Sequence, residues 1–312
     1  MPRIASLPLH LEPATQQALA AELVTVEHFL VRQEECELTT ADGQQKEAFR
    51  ALLLHLQSHM AAPVRNGVQL LRQLEADARI LPFLCGSLDE LLKGGIREGQ
   101  HTELVGKSGA GKTQLCMQAA MATAARGERC AIIDTGAAFS PRRAAAMFPR
   151  CAAASPAPDG VIHAHDVHAL LRHLDALAGQ LQAEEAERAS GAPARPRLSL
   201  LVVDSPAALV AGALGGQRGA GAGHVAMACL GRALRALARR FLLAVLTTNH
   251  VVRGLGDQPR PALGDSWANQ PHVRVQLGRG EGRARSAALA AFHIGPCYAA
   301  PAWFELREDG VG

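Results

Sequence analysis

The sequence predicts an α/β fold, with a mostly parallel central sheet between helices and a small helical N-terminal domain ahead of it. Three observations lead there. From Leu81 onward, short β-rich runs alternate with helical stretches, the pattern of parallel strands joined by crossover helices. One run passes through a glycine-rich loop directly into a helix, the arrangement of a phosphate-binding strand–loop–helix unit. Residues 1–62, in contrast, carry helical period and no strand signal.

Taken in order, Thr15 can cap a first helix with Leu19, Leu23, Val26 and Leu30 along one face. The turn residues 39–43 separate it from a second helix over 45–60, which carries Phe49, Leu52, Leu53 and Leu56. Residues 63–80 read as a partly amphipathic linker, and 81–312 as the core. Core strands are expected over 101–105, 130–134, 161–164, 198–204 and 242–248. Two or three more, over 272–277, 286–292 and 302–306, have short connections and are expected to add an antiparallel extension. Segment 183–197 reads as a helix giving way to a mobile loop. Segment 210–223 holds too much glycine to be expected as a packed helix.

A chain of 312 residues with 48% hydrophobic and 20% charged residues suits one core plus a small accessory domain. No apolar run reaches membrane-spanning length, and the first 13 residues lack a signal peptide's pattern, so an intracellular protein is expected. The seven cysteines form no CxxC pair, which argues against a zinc site or a disulfide framework. A net charge of +3 allows nucleic-acid binding without arguing for it.

The chemistry concentrates in Gly106-Lys107-Ser108-Gly109-Ala110-Gly111-Lys112-Thr113, a full Walker A match preceded by an apolar strand and followed by a helix. In such a loop consecutive backbone N–H groups wrap phosphates, and glycines allow that approach. Lys112 would neutralise phosphate charge, and Thr113 would place its hydroxyl on Mg²⁺. The strand Leu200-Leu201-Val202-Val203 ends in Asp204, placed to hold the metal through water. A further strand ends in Thr247-Thr248-Asn249-His250, polar residues that either sense the terminal phosphate or form an ordinary turn.

The lead-in Gly86-Ser87-Leu88-Asp89-Glu90-Leu91-Leu92, then Gly94-Gly95-Ile96, Gly99, Thr102-Glu103 and the loop with Gln114, resembles the core opening of eukaryotic RecA-type recombinases, the Rad51 family. Ile133-Asp134-Thr135, Asp204-Ser205 and Thr248-Asn249 fall where that family has its later motifs. Leu214-Gly215-Gly216-Gln217, His250 after Asn249, and Pro261-Ala262-Leu263-Gly264 with Ser266-Trp267 resemble its D-type paralogue. The resemblance implies a RecA-like ATPase core binding ATP and Mg²⁺. It further implies a nuclear accessory protein of homologous recombination and double-strand break repair, working with other paralogues in a hetero-oligomer. It places Gln114, Arg143 and Asn249 at the nucleotide, Arg143 against the adenine. A solvated arginine at a helix start is the other reading of Arg143.

Two departures from the family bear on mechanism. Where active members have a glutamate that polarises the attacking water, this chain has Gly136, and such assistance is typically worth about 10²–10⁴ in rate. Where the family's ATP cap has an acid two residues before a proline, Ile294 precedes Gly295-Pro296. ATP binding with slow hydrolysis is the expectation, with no catalytic residue assigned. The family's two loops for single-stranded DNA would lie here at 210–223, with Arg218, and at 252–261, with Arg253 and Arg260. Neither contains an aromatic residue for stacking, so modest binding is expected.

Other groups have plainer readings beside the functional ones. Arg232, Arg235 and Arg239 form either a DNA patch or, as favoured here, a solvated face opposite Leu230, Leu234 and Leu237. His163, His165 and His168 invite a metal reading that needs a third ligand from the next helix. Trp267 is either a partner anchor or core, with core favoured. The leading function is a recombination mediator. Its rivals are an autonomous DNA-dependent ATPase catalysing strand exchange and a small-molecule P-loop kinase.

Overall fold

The computed structural model describes residues 50, 54, 66–69, 79–147, 161–191, 195–214, 220–253, 259–292 and 300–312. The chain divides into two units, Met1–Leu74 and Glu75–Gly312, and every element below belongs to the second. Apart from residues 50 and 54, the helices expected within 1–62 lie outside the described residues, as does the linker at 63–80 apart from 66–69, 79 and 80.

A short antiparallel pair, β1 (Ile80–Leu81) and β2 (Ile96–Arg97), encloses helix α1 (Gly86–Leu91). There follow β3 (His101–Gly106), α2 (Lys112–Ala125), β4 (Arg129–Asp134), α3 (Pro141–Met147) and β5 (Val161–His163). Next come α4 (Val167–Ala189), β6 (Leu198–Asp204), α5 (Pro206–Leu214), α6 (Ala220–Phe241) and β7 (Ala244–Asn249). A hairpin of β8 (Val251–Arg253) and β9 (Pro259–Pro261) leads to α7 (Asp265–Ala268). The chain then closes with β10 (Val273–Arg279), β11 (Ala284–Phe292), β12 (Ala302–Arg307) and β13 (Gly310–Val311).

Nine of these strands form one sheet in the order β13-β12-β11-β10-β3-β7-β6-β4-β5. The six from β10 to β5 run parallel, and β11, β12 and β13 continue antiparallel. This corrects the expectation for 272–277. That strand lies beside β3 and parallel to it, with only its other edge paired antiparallel, to β11. Short connections at the chain's end could not reveal that the first of the three strands would insert next to the glycine-rich unit.

Side chains alternate across a strand, so a central strand covered on both faces reads as continuously apolar. In β6, Leu200 and Val202 join the cluster built with Leu115, Cys116 and Ala119 of α2, while Leu201 and Val203 face Leu170 and Leu174 of α4 and Leu230 and Leu234 of α6. One segment leaves its helix as expected, and another is more helical than expected. Helix α4 runs through Ala189, because 183–189 holds only alanine, glutamate and arginine, and glycine and proline begin at Gly191. Both ends of 210–223 are helical, in α5 and α6, where buried Leu230, Leu234 and Leu237 further along α6 anchor the helix despite its glycines.

Candidate functional site

All six parallel strands end on one edge of the sheet, and their register decides which side chains meet there. Asp134 lies opposite Asp204, Val203 opposite Thr247, and Val105 opposite Asn249. Asp204 is therefore level with Thr248. The order β3-β7-β6-β4 puts the glycine loop at the crevice where ligands gather in open α/β sheets.

The loop itself is shaped by its glycines. Gly109 and Gly111 have φ of +76° and +97°, a region that L side chains rarely adopt, and a Cβ on Gly111 would come within 3.1 Å of Leu306. Gly111 caps α2 without a side-chain acceptor, so its N-cap residue leaves the first N–H groups of that helix to other partners. Lys112 is 7% exposed, and its Nζ donates to the carbonyls of Gly106 at 2.8 Å and Lys107 at 3.0 Å. Burial pushes its pKa down, and the Asp204 carboxylate opposes that shift.

Asp204 is gripped by two hydroxyls. Thr113 Oγ1 donates to one carboxylate oxygen at 2.6 Å, and Thr248 Oγ1 donates to the other. Beside it, the Thr135 hydroxyl donates to the Ser205 carbonyl and accepts from the Ser205 amide, which joins the ends of β4 and β6. Asp134 turns the chain after β4 by accepting from the amides of Gly136 at 3.0 Å and Phe139 at 2.8 Å. A Cβ at Gly136 would meet nothing within 4 Å. The result is a cavity of about 410 Å³, whose walls include Lys112, Thr113, Gln114, Gly136, Asp204 and His250. Its size is that of a small-molecule site. Hydroxyl and carboxylate oxygens set against a lysine and a helix N-terminus are the donor set for a phosphate with a hard cation.

The other expected residues divide. Arg143 donates to Gln114 Oε1 at 3.2 Å and to the carbonyls of Arg307 at 2.7 Å and Glu308 at 2.6 Å, tying α3 to α2 and to the β12–β13 turn. Asn249 turns away from the loop and donates to Glu103 at 2.9 Å. His250, the next residue, lines the cavity instead. Burial lowers its pKa, the Lys112 charge lowers it further, and Asp204 opposes both. Strand alternation would have sorted this end: Thr248 and His250 share the cavity side, whereas Thr247 reaches His101 and Asn249 reaches Glu103. Arg285 gave no signal in the sequence, yet its Nε donates to the loop carbonyl of Gly109 at 2.9 Å.

Arg253 and Arg260 lie on the β8–β9 hairpin that follows β7, and Arg260 is exposed. Arg218 and residues 294–296 lie outside the described residues. Arg232 and Arg239 are exposed, with Leu230, Leu234 and Leu237 buried beneath them. Trp267 is buried core, 1% exposed. Among the described residues, His163, His165 and His168 form no group able to hold a metal ion, and no helix is long and apolar enough to cross a membrane.

A family model described as Rad51 matches residues 79–312. The chain is 35% identical over 244 residues to DNA repair protein RAD51 homolog 4 of Bos taurus, covering 75% of this chain and 72% of that protein. Identity to the Mus musculus protein of the same name is 34% over 248 residues, covering 77% and 73%. DNA repair protein rhp51 of Schizosaccharomyces pombe is 31% identical over 238 residues, covering 72% of this chain and 62% of its own length.

Proposed function

This chain belongs to the Rad51 family, and from that premise we propose that it is an ATP-binding mediator of homologous recombination and double-strand break repair. It acts in the nucleus, on single-stranded DNA, in a hetero-oligomer with other paralogues. The relatives named RAD51 homolog 4 agree with the D-type resemblance read from the sequence. The observation that carries the proposal is the Thr113–Asp204–Thr248 arrangement at the head of α2, with Gly136 in the facing wall.

Lys112 and the first N–H groups of α2 would hold the phosphates, and Thr113 and Asp204 would hold Mg²⁺, Asp204 through water. A metal held there would supply charge neutralisation for the phosphates. Asp134 fixes the turn that forms the facing wall, and Gly136 brings no carboxylate to that wall. A proton on the attacking water therefore has no acceptor from this position, and hydrolysis is slow unless a partner subunit supplies the group. Arg253 and Arg260 on the hairpin after β7, with Arg218, are the proposed DNA contacts.

The test combines three measurements on the purified chain. Nucleotide binding should be tight with single-turnover hydrolysis slow, and a turnover near that of a filament-forming recombinase would overturn the mediator reading. Single-strand binding should weaken with salt, less steeply in Arg218→Ala/Arg253→Ala, while a flat salt response argues against phosphate contacts. Paralogues should co-purify with the wild type and be compared with Lys112→Ala. Strand-exchange and phosphoryl-acceptor assays separate the autonomous recombinase and the kinase from the mediator.

A further inference from the structure

Directly behind the nucleotide-facing edge lies a buried carboxylate that the site does not use. Glu103 of β3 is fully buried and gathers donors from three elements. Its Oε1 accepts both Asn249 Nδ2 at 2.9 Å and Trp267 Nε1 at 2.7 Å, and its Oε2 accepts Arg274 Nε. Arg274 is the parallel-register partner of Glu103, and its other arm donates to the Ala268 carbonyl at the end of α7. Asn249 is held on one side only, since its buried Oδ1 has no hydrogen-bond partner among the described residues. The preceding residue is Thr248, which grips Asp204.

We infer that Glu103 is a positioning residue that couples the nucleotide-facing end of β7 to the Trp267 helix. The inference rests on the nucleotide reading above. Asp204 is the group that would turn toward a bound cation, and its turning releases the Thr248 hydroxyl. Asn249 is the next residue and the most weakly held member of the buried group. Moving its amide breaks one hydrogen bond and strands no acceptor that is not already stranded. Glu103 keeps Arg274, but Oε1 then serves the indole alone, so the change is delivered to Trp267. Helix α7 follows the β8–β9 hairpin, so what moves Trp267 also bears on the segment proposed to touch DNA.

The chain carries its own reporter. It has two tryptophans, and Trp303 is 61% exposed, so Trp303→Phe leaves Trp267 as the sole emitter. Binding of ATP is measured by competition with a fluorescent nucleotide, and indole emission is followed in the same titration. The expected result is a saturable emission change that tracks the binding isotherm. Two double variants in this background then isolate the acceptor. E103Q/R274M removes the ion pair and keeps an Oε1 for the amide and the indole, so the change should persist. E103M/R274M removes the ion pair with the acceptor, so the change should be lost while the circular dichroism of a folded chain remains. Binding without any emission change in Trp303→Phe overturns the coupling, whether or not the double variants fold. A change that survives in E103M/R274M overturns it too. Absence of binding in Trp303→Phe overturns instead the nucleotide reading on which the coupling stands.

Discussion

Placing a glutamate at Gly136 asks whether hydrolysis is limited by a missing base. The substitution is sterically open, because a Cβ there meets nothing within 4 Å and the backbone does not have the positive φ that only glycine adopts freely. The turn should survive, since Asp134 holds it through the amides of residues 136 and 139, and a side chain at 136 leaves those amides in place. Removing a glycine from a compatible position stabilises by about 0.4–1 kcal/mol through the unfolded state, so the folded population should not fall. Gly136 shares the cavity with Lys112, Thr113 and Asp204, so a carboxylate there points its base into the site. General-base assistance of about 10²–10⁴ lowers the barrier by about 2.7–5.4 kcal/mol. In a single-turnover assay with enzyme in excess, G136E should therefore hydrolyse ATP about 10²-fold faster or more, with nucleotide affinity little changed. G136Q matches it in size and lacks the base, so it should behave as the wild type. Equal rates for G136E and G136Q at unchanged affinity would refute the reasoning and place the limit elsewhere, as in the cap around Ile294.

Three more outcomes follow from the same geometry. Lys112→Ala should weaken ATP binding by about 10–100-fold, the worth of a charge-assisted hydrogen bond of about 1.5–3 kcal/mol, while the nucleotide-free chain loses no thermal stability because a buried ammonium is removed. Calorimetric titration reads this, and unaltered affinity would put the phosphates elsewhere. Thr248→Val, nearly isosteric, should cost about 1.5–3 kcal/mol of stability, the range for a hydrogen bond to a charged group, read as a lower urea midpoint; an unmoved midpoint would mean that the grip on Asp204 contributes nothing. Burial pushes His101 down to about 3 from 6.5, so between pH 7 and 5 the unfolded chain takes up a proton that the folded chain refuses. Stability from this group is intact above pH 6.5 and should fall by about 2 kcal/mol by pH 5, continuing toward pH 3. His101→Gln should flatten that slope in urea titrations, and parallel slopes for the two proteins would contradict it.

What could be read from the sequence was what depends on neighbours along the chain. The loop from Gly106 to Thr113 is contiguous, and Asp204 ends an apolar run, so both stand out before any folding is known. What escaped depends on pairing. Whether 272–277 would be parallel was decided by its insertion beside β3. The sorting of 247–250 required the register that sets Val203 opposite Thr247, although alternation alone would have split Thr248 and His250 from Thr247 and Asn249. Glu103 stood in the lead-in as part of a resemblance, but its role appears only when Trp267 and Arg274, distant in sequence, arrive on it. Segment 210–223 was misjudged because its glycines outweighed the anchoring leucines that lie further along α6.

On the proposed function, binding and hydrolysis would draw on different parts of this fold, so one could be kept without the other. The groups for binding are built into the core. Lys112 and Thr113 begin the buried helix α2, Asp204 ends a strand whose every residue is buried, and Thr248 sits on the neighbouring strand in fixed register. Changing Asp204 or Thr248 disturbs buried hydrogen bonds as well as chemistry. The base would come from residue 136, whose backbone amide does the structural work and whose Cβ faces open space. Glycine and glutamate are thus both compatible with the turn, and nothing in the packing requires glycine. The residue at 136 is free to follow what the site does with its nucleotide, and glycine there is what the proposed slow hydrolysis calls for.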